Sequence, residues 1–254
     1  MEPHPLPLLE ALADRAMRRA VAQTVDRLQS ASDRRRANLP DWERWREEAR
    51  RVREETLAHL DLFLGRFVEK LREAGGRIHF AEEGEEACRM VVEILHRQGA
   101  RRVVKSKSMV SEEIGLNRRL VEAGIAVVET DLGERIVQQA QGEPAHLVVP
   151  AIGRSREEIR KLFVEMGAEG IGSGTRELVD FARSRLREEF RSADAGITGV
   201  NFAIAQTGSL ALFTNEGNAD LVANLPPLHI ALLGIERLLP TLEDLALFSR
   251  LLPA

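Results

Sequence analysis

The sequence predicts an α/β fold, a parallel-rich sheet sandwiched by helices with a helical amino-terminal extension, on two observations. From residue 77 onward short β-rich runs alternate with amphipathic helical stretches, and before it the apolar residues recur only at helical spacing. Strand, helix and strand in repetition call for parallel strands joined by right-handed crossovers, which places helices on both faces. The expected division is a helical extension over 1–75 and an α/β domain over 76–254.

The extension contains two helices. Over 8–36, Leu9, Leu12, Ala16, Ala20, Val21, Val25 and Leu28 share a face. A second helix follows Pro40, with Asp41 as its cap, Leu57, Leu60, Leu64, Phe67, Val68 and Leu71 as its apolar face, and Gly75-Gly76 as its stop. In the α/β part the expected strands are 77–81, 102–105, 125–129 and 146–149, with helices running to about 98, 123 and 141 and another starting at Ser155. The glycines of 169–175 make a loop before a helix over 176–190; their spacing is not that of a dinucleotide fingerprint, and no strand pattern precedes them. Residues 201–205 and 209–214, joined by Gln206-Thr207-Gly208, read as a hairpin. A last strand over 229–233 precedes a helix that begins near Thr241.

Composition limits the function classes. With 36 basic and 40 acidic residues, a net charge of −4, the chain presents no overall positive field, so neither nucleic acid nor membrane insertion is expected. The Arg34-Arg35-Arg36 run reads as a solvated helix end. Cys88 is the only cysteine, so no internal disulfide forms and no cysteine-ligated cluster is held by this chain alone. No stretch reaches membrane-spanning length, and the location expected is cytoplasmic. The histidines form no metal pattern; His146 and His229, each at the start of an apolar strand, read as hydrogen-bonded structural residues.

Open α/β sheets bind ligands beyond the carboxyl ends of their strands, so the polar residues placed there are the candidates. Lys105, Ser106, Lys107 and Ser108, followed by Glu112 and Asn117, offer ammonium groups, hydroxyls and a helix amino terminus to an anion; an ordinary capped turn has the same composition. Glu129, Asp131 and Glu134 crowd three carboxylates into six residues, enough to raise one carboxyl pKa or bind a hard cation, though acidic residues also suit the first turn of a helix. Asn201, Thr207, Gly208, Ser209, Asn215, Glu216, Gly217 and Asn218 combine small residues that permit close approach with amides and one charge. Glu216 and Glu129 are the acid–base or nucleophile candidates, and the ligand expected is a small anionic metabolite.

Taken in order, Val104-Lys105-Ser106-Lys107-Ser108-Met109, Glu112-Glu113-Ile114-Gly115-Leu116-Asn117, Glu129-Thr130-Asp131-Leu132-Gly133-Glu134, Gly199-Val200-Asn201-Phe202-Ala203, Thr207-Gly208-Ser209 and Asn215-Glu216-Gly217-Asn218 closely resemble the signature of the lactate-utilization protein B family, whose domain is the LUD domain. The similarity extends to the closing Leu239-Pro240-Thr241-Leu242-Glu243-Asp244-Leu245. The resemblance implies a fold similar to the sugar-phosphate isomerase and CoA-transferase group. It implies a part in oxidising L-lactate to pyruvate within a multi-subunit system whose electron carriers are iron–sulfur clusters. The family continues into a cysteine-rich ferredoxin-like segment that is not in this sequence, so the chain is expected to be a truncated form or a short relative, with its clusters in a missing segment or in iron–sulfur partner subunits. Ending at Ala254 would also omit a last strand, leaving a sheet edge that favours self-association into a homo-oligomer. Arg135 stands where an aromatic residue is usual, Gly153 where a histidine is usual, and Asp220 where a basic residue is common.

Two other classes stay open at this stage. One is a stand-alone isomerase, acyl-transferase or cyclo-ligase-like enzyme acting on a phosphate- or carboxylate-bearing metabolite, with Lys105 and Lys107 holding the anion. The other is a subunit interaction module with the amino-terminal helices as docking arms.

Overall fold

The computed structural model describes residues 15–140 and 155–252. Among the described residues three helices come first, α1 (Arg15–Ala37), α2 (Trp42–Ala58) and α3 (Leu60–Glu73). The expected second helix is therefore two. His59, at φ −126° and ψ 38°, leaves helical values, and the break lets both segments reach the same small sheet at different places. Asp41 occupies the N-cap position without a side-chain cap bond.

The α/β part follows as α4 (Gly84–Arg97), β1 (Arg102–Lys105), α5 (Met109–Glu113), α6 (Leu116–Glu122), β2 (Ala126–Glu129) and α7 (Leu132–Gln139), then α8 (Arg156–Glu165), α9 (Thr175–Ser192) and β3 (Ala195–Gly199). The hairpin strands β4 (Phe202–Ile204) and β5 (Ser209–Ala211), then α10 (Asn218–Asn224), β6 (Leu228–Leu232), a 3₁₀ turn over Ile235–Arg237, β7 (Leu238–Leu239) and α11 (Leu242–Leu251) complete it. The expected strand at 77–81 does not form. A strand needs a partner ladder, and Ile78 instead packs into the core beneath α3. The expected strand at 146–149 lies outside the described residues, as do His146 and Gly153.

Four strands form a parallel sheet in the order β2-β1-β3-β6, with helices on both sides. Side-chain alternation sorts the two faces. Val103, Ala195 and Ile197 join Cys88, Val91 and Leu95 of α4 and Leu116 and Leu120 of α6 in one core. Val104 and Val128 face Phe190 of α9 and Val222 of α10 in the other. The central strand β3 was not foreseen, because Ala-Gly-Ile-Thr-Gly has little β propensity. Its glycine is a packing requirement: a Cβ on Gly196 would stand 1.9 Å from the Val222 carbonyl oxygen. On β2, which heads the strand order, the Gln138 amide fills ladder positions, donating to the Val127 oxygen at 2.8 Å and accepting from the Glu129 N–H at 3.2 Å.

A second sheet, β5-β4-β7, carries the predicted hairpin. Phe67 of α3 packs on Ala203, Ala205 and Leu238, while Val52 of α2 and Phe248 of α11 cover Phe202, Ile204 and Leu239 from another side. Helices α2 and α3 thus turn much of their apolar faces to the chain's own sheet, although Leu57 of the expected face is 59% exposed. α11 starts with a full capping box, in which Thr241 and Asp244 exchange side-chain-to-backbone bonds.

Candidate functional site

Among the described residues the buried charges lie at, or just beyond, the carboxyl ends of β1 and β2. Parallel register sets Lys105 beside Glu129, and alternation turns both toward the face covered by α4 and α6. Lys105 is completely buried and Glu129 is 2% exposed. All three ammonium donors of Lys105 are used: Nζ lies 2.9 Å from Ser111 Oγ, 3.0 Å from Glu112 Oε1 and 2.9 Å from Glu129 Oε1. Asn117, from the first turn of α6, donates Nδ2 to the same Glu129 oxygen at 2.6 Å.

Short local motifs hold these groups in place. Ser108 caps α5, accepting the Ser111 N–H at 3.3 Å, and this aims Ser111 and Glu112 at Lys105. Ser106 donates its N–H to the Ile197 oxygen at 3.0 Å, continuing the β1–β3 ladder. Asp131 caps α7 through the Glu134 N–H at 3.1 Å, and the buried Glu134 pairs with Lys107 at 3.3 Å. A polar chain leads away on the other face. Asn218 accepts from Thr214 at 3.0 Å and donates to Thr130 Oγ1 at 3.3 Å, and Thr130 donates to the Lys105 carbonyl oxygen at 3.0 Å. Gly217 donates its N–H to Thr214 Oγ1 at 3.0 Å, and Glu216, next to Asp131, accepts from the Leu132 N–H.

Burial alone would lower the Lys105 pKa, but the Glu129 and Glu112 carboxylates override it and hold the ammonium protonated above the usual lysine range. Burial pushes the Glu129 carboxyl upward, and the Lys105 ammonium and the Asn117 amide oppose that push without cancelling it. The two shifts pull against each other across one 2.9 Å contact. With Glu112 supplying a second counter-charge, a firmly protonated lysine next to a carboxyl of raised pKa is the consistent state. Burial likewise raises Glu134 against the opposing Lys107 charge. Glu216 lies at the surface by area, yet its neighbours crowd it enough to raise its carboxyl, first by lost hydration and then by the Asp131 charge.

The structure therefore brings Lys105, Ser106, Lys107, Ser108, Glu112, Asn117, Glu129, Asp131, Glu134, Glu216, Gly217 and Asn218 to one end of the parallel sheet. It does not bring Asn201, Thr207, Gly208 and Ser209 into contact with them. Asn201 Oδ1 accepts the Phe213 N–H at 2.8 Å and braces the hairpin. Thr207 and Ser209 bond to each other in the turn at 2.9 Å, and Gly208, at φ +70°, lies so close to α3 that a Cβ would be 2.5 Å from the Leu71 nitrogen. Asn215 and Asp220 are exposed, Asp220 in the first turn of α10. Arg135 spans from Gln138 at 2.8 Å to Glu189 at 3.7 Å. Sequence reasoning missed Gln138, which bonds the β2 backbone, and the Thr198 partner of His229, whose Oγ1 and Nε2 are 2.8 Å apart; neither has a local sequence signal. Among the described residues no group of three or more histidine, cysteine or acidic side chains is placed to hold a metal ion.

Comparison with known proteins gives this geometry a family. The family model described as the LUD domain matches residues 64–254. The chain is 44% identical over 244 residues to lactate utilization protein B of Shouchella clausii (strain KSM-K16), covering 96% of this chain and 51% of that one. Its identity to lactate utilization protein B of Macrococcus caseolyticus (strain JCSC5402) is 45% over 242 residues, 95% of this chain and 51% of the relative. An uncharacterized electron transport protein, YkgF of Escherichia coli (strain K12), is 45% identical over 236 residues, 92% and 50% of the two chains. The chain thus spans about half the length of the curated relatives it matches. No solved structure matches it significantly. With the family match running from within α3 through the whole of the sheet and its charged end, the chain belongs to the LUD-domain family.

Proposed function

We propose that this chain is the LUD-domain component of an L-lactate utilization redox complex, in which it binds a small anionic ligand at the carboxyl ends of β1 and β2 or scaffolds the subunits around that site. The observation that carries the reading is the similarity to lactate utilization protein B along nearly the whole chain, the charged sheet end included. Oxidising lactate to pyruvate removes two protons and two electrons from the carbinol. The proton chemistry suits crowded carboxyls such as Glu216 and Glu129, with Lys107 at the rim of the cluster for the ligand's negative charge. Lys105, with three partners already, orients Glu129 and Glu112.

Iron–sulfur clusters, which the resemblance implies, do not fit the residues of this chain. Cys88 is its single cysteine, is 2% exposed and donates to the Ile114 oxygen at 3.3 Å, whereas such clusters need several thiolates. Another segment or partner subunits would supply them. The described residues contain no helix long and apolar enough to cross a membrane.

Deleting the gene is expected to abolish growth on L-lactate and leave growth on other carbon sources intact; undiminished growth on L-lactate would overturn the proposal. Thermal-shift measurements separate it from the isomerase, acyl-transferase or cyclo-ligase alternative. Stabilisation by L-lactate or pyruvate at millimolar concentration supports ligand binding, and stabilisation by sugar phosphates or CoA esters alone supports the alternative.

A further inference from the structure

Among the described residues, two buried side-chain polar atoms lack a hydrogen-bond partner, and they belong to one pair of planar groups. Asn117 Nδ2 donates to Glu129 Oε1 at 2.6 Å, while the other atom of each group, Asn117 Oδ1 and Glu129 Oε2, is unpartnered. If Glu129 were ionised, both orphans would be acceptors, neither able to satisfy the other. Buried polar groups are almost always bonded, so two orphans on already joined groups call for one shared cause. A carboxylic acid and a primary amide are complementary along an edge: the acid oxygen accepts N–H, and the acid O–H donates to the amide oxygen.

We propose that Glu129 is held in the folded protein as a neutral carboxylic acid, its Oε2 proton donated to Asn117 Oδ1 in a closed acid–amide ring. The buried Lys105 ammonium then keeps a single counter-charge, the half-buried Glu112 carboxylate 3.0 Å away. This removes a buried carboxylate from a site where each uncompensated charge is costly. Among the described residues, four elements bring polar or charged groups to the Glu129 carboxyl and its backbone. β1 brings Lys105, which favours ionisation; α5 brings Glu112, which opposes it; α6 brings Asn117; and α7 brings Gln138 onto the Glu129 backbone, with Arg135 behind it. Burial acts in the same direction as the ring, toward the protonated form.

For the proposed lactate chemistry, and resting on that reading for this consequence alone, the two acid–base candidates separate. A neutral Glu129 cannot accept a hydroxyl proton, so it is a positioning residue that stores a proton and orients Lys105, and the proton acceptor is the surface carboxylate Glu216.

Infrared spectroscopy of the intact chain without ligand, with and without ¹³C-labelled glutamate, tests the proposal independently of any lactate role. At neutral pH the expected result is a carbonyl band of an un-ionised carboxyl that moves with the label and disappears in Glu129→Gln. That variant offers Asn117 the same donor and acceptor pattern, so its Tm is expected within about 3 °C of the parent. Absence of the band would overturn the assignment. So would failure of Glu129→Gln to fold, or a Tm loss of about 10 °C, since either outcome means that the lysine requires an ionised Glu129. None of these results depends on whether the protein serves lactate oxidation.

Discussion

The three-stranded sheet is sealed by hydrocarbon, with Phe67, Val52 and Phe248 closing over Ala203, Phe202 and Ile204, whereas the end of the parallel sheet is sealed by ions, with Lys105 wedged between Glu129 and Glu112. Both regions exclude water. The hydrocarbon seal gains free energy from every apolar group it covers, roughly 25 cal/mol per Å². The ionic seal spends much of its attraction on desolvating its members, and a well-packed apolar replacement would often be as stable or more so. Burying charge at a strand end is therefore poorly explained by stability alone.

Cutting each region at its centre sharpens the contrast most. Phe67→Ala and Lys105→Ala are each expected to cost ~3–5 kcal/mol, the first by opening a cavity and the second by taking the ammonium away from Ser111, Glu112 and the Glu129 carboxyl. Their pH dependence should differ. Denaturant titrations are expected to give the same loss for Phe67→Ala at every pH, but a loss for Lys105→Ala that shrinks once pH rises above the usual lysine value and the parent gives up its own ammonium. A loss for Lys105→Ala that stays constant into that alkaline range would remove the distinction. In the parent protein the raised lysine pKa contributes stability that is complete below the unfolded-state value, about 10.5, and disappears as pH rises through the folded value.

A smaller effect tests the strand on which the ionic end depends. Gly196→Ala places a methyl group against the Val222 oxygen of α10, which cannot swing aside, so about 1–3 kcal/mol should be lost although the change adds one carbon atom. The midpoint of chemical denaturation reads it directly, and an unchanged midpoint would mean that α10 is free to move away from β3.

The smallest expected effect is a slope. Burial lowers the His229 pKa, so the unfolded chain binds more protons between the folded value and about 6.5. Its contribution to stability is complete above the unfolded value and declines as pH falls through that window. Glu129, with its raised pKa, has the opposite sign: stability falls as pH rises from about 4.5 toward its folded value. His229→Gln should flatten only the limb below about pH 6.5 in a plot of Tm against pH, and an unaltered limb would assign that slope to another group.

The local pattern of the sequence determined much of the architecture. Strand β1 matches the expected 102–105, and β2 lies within 125–129, because each is an apolar run bounded by helical periodicity. The hairpin and the helix starts at Ser155 and Thr241 were legible because their signals lie within a few residues of one another. The order of polar motifs in the chain was enough to identify the family.

Only the tertiary structure decided how those motifs meet. Periodicity cannot show that an Ala-Gly-Ile-Thr-Gly segment is a central strand, because the choice of glycine there answers to a helix backbone 26 residues further along the chain, at Val222. Nor can it show which polar residues share a site. Lys105, Glu112, Asn117 and Glu129 converge through parallel register and two short helices, while Asn201, Thr207, Gly208 and Ser209, equally polar in the sequence, went to bracing a hairpin against α3. The reason is physical: a residue's type fixes which bonds it is able to make, and the packing of distant segments fixes which partners arrive to make them.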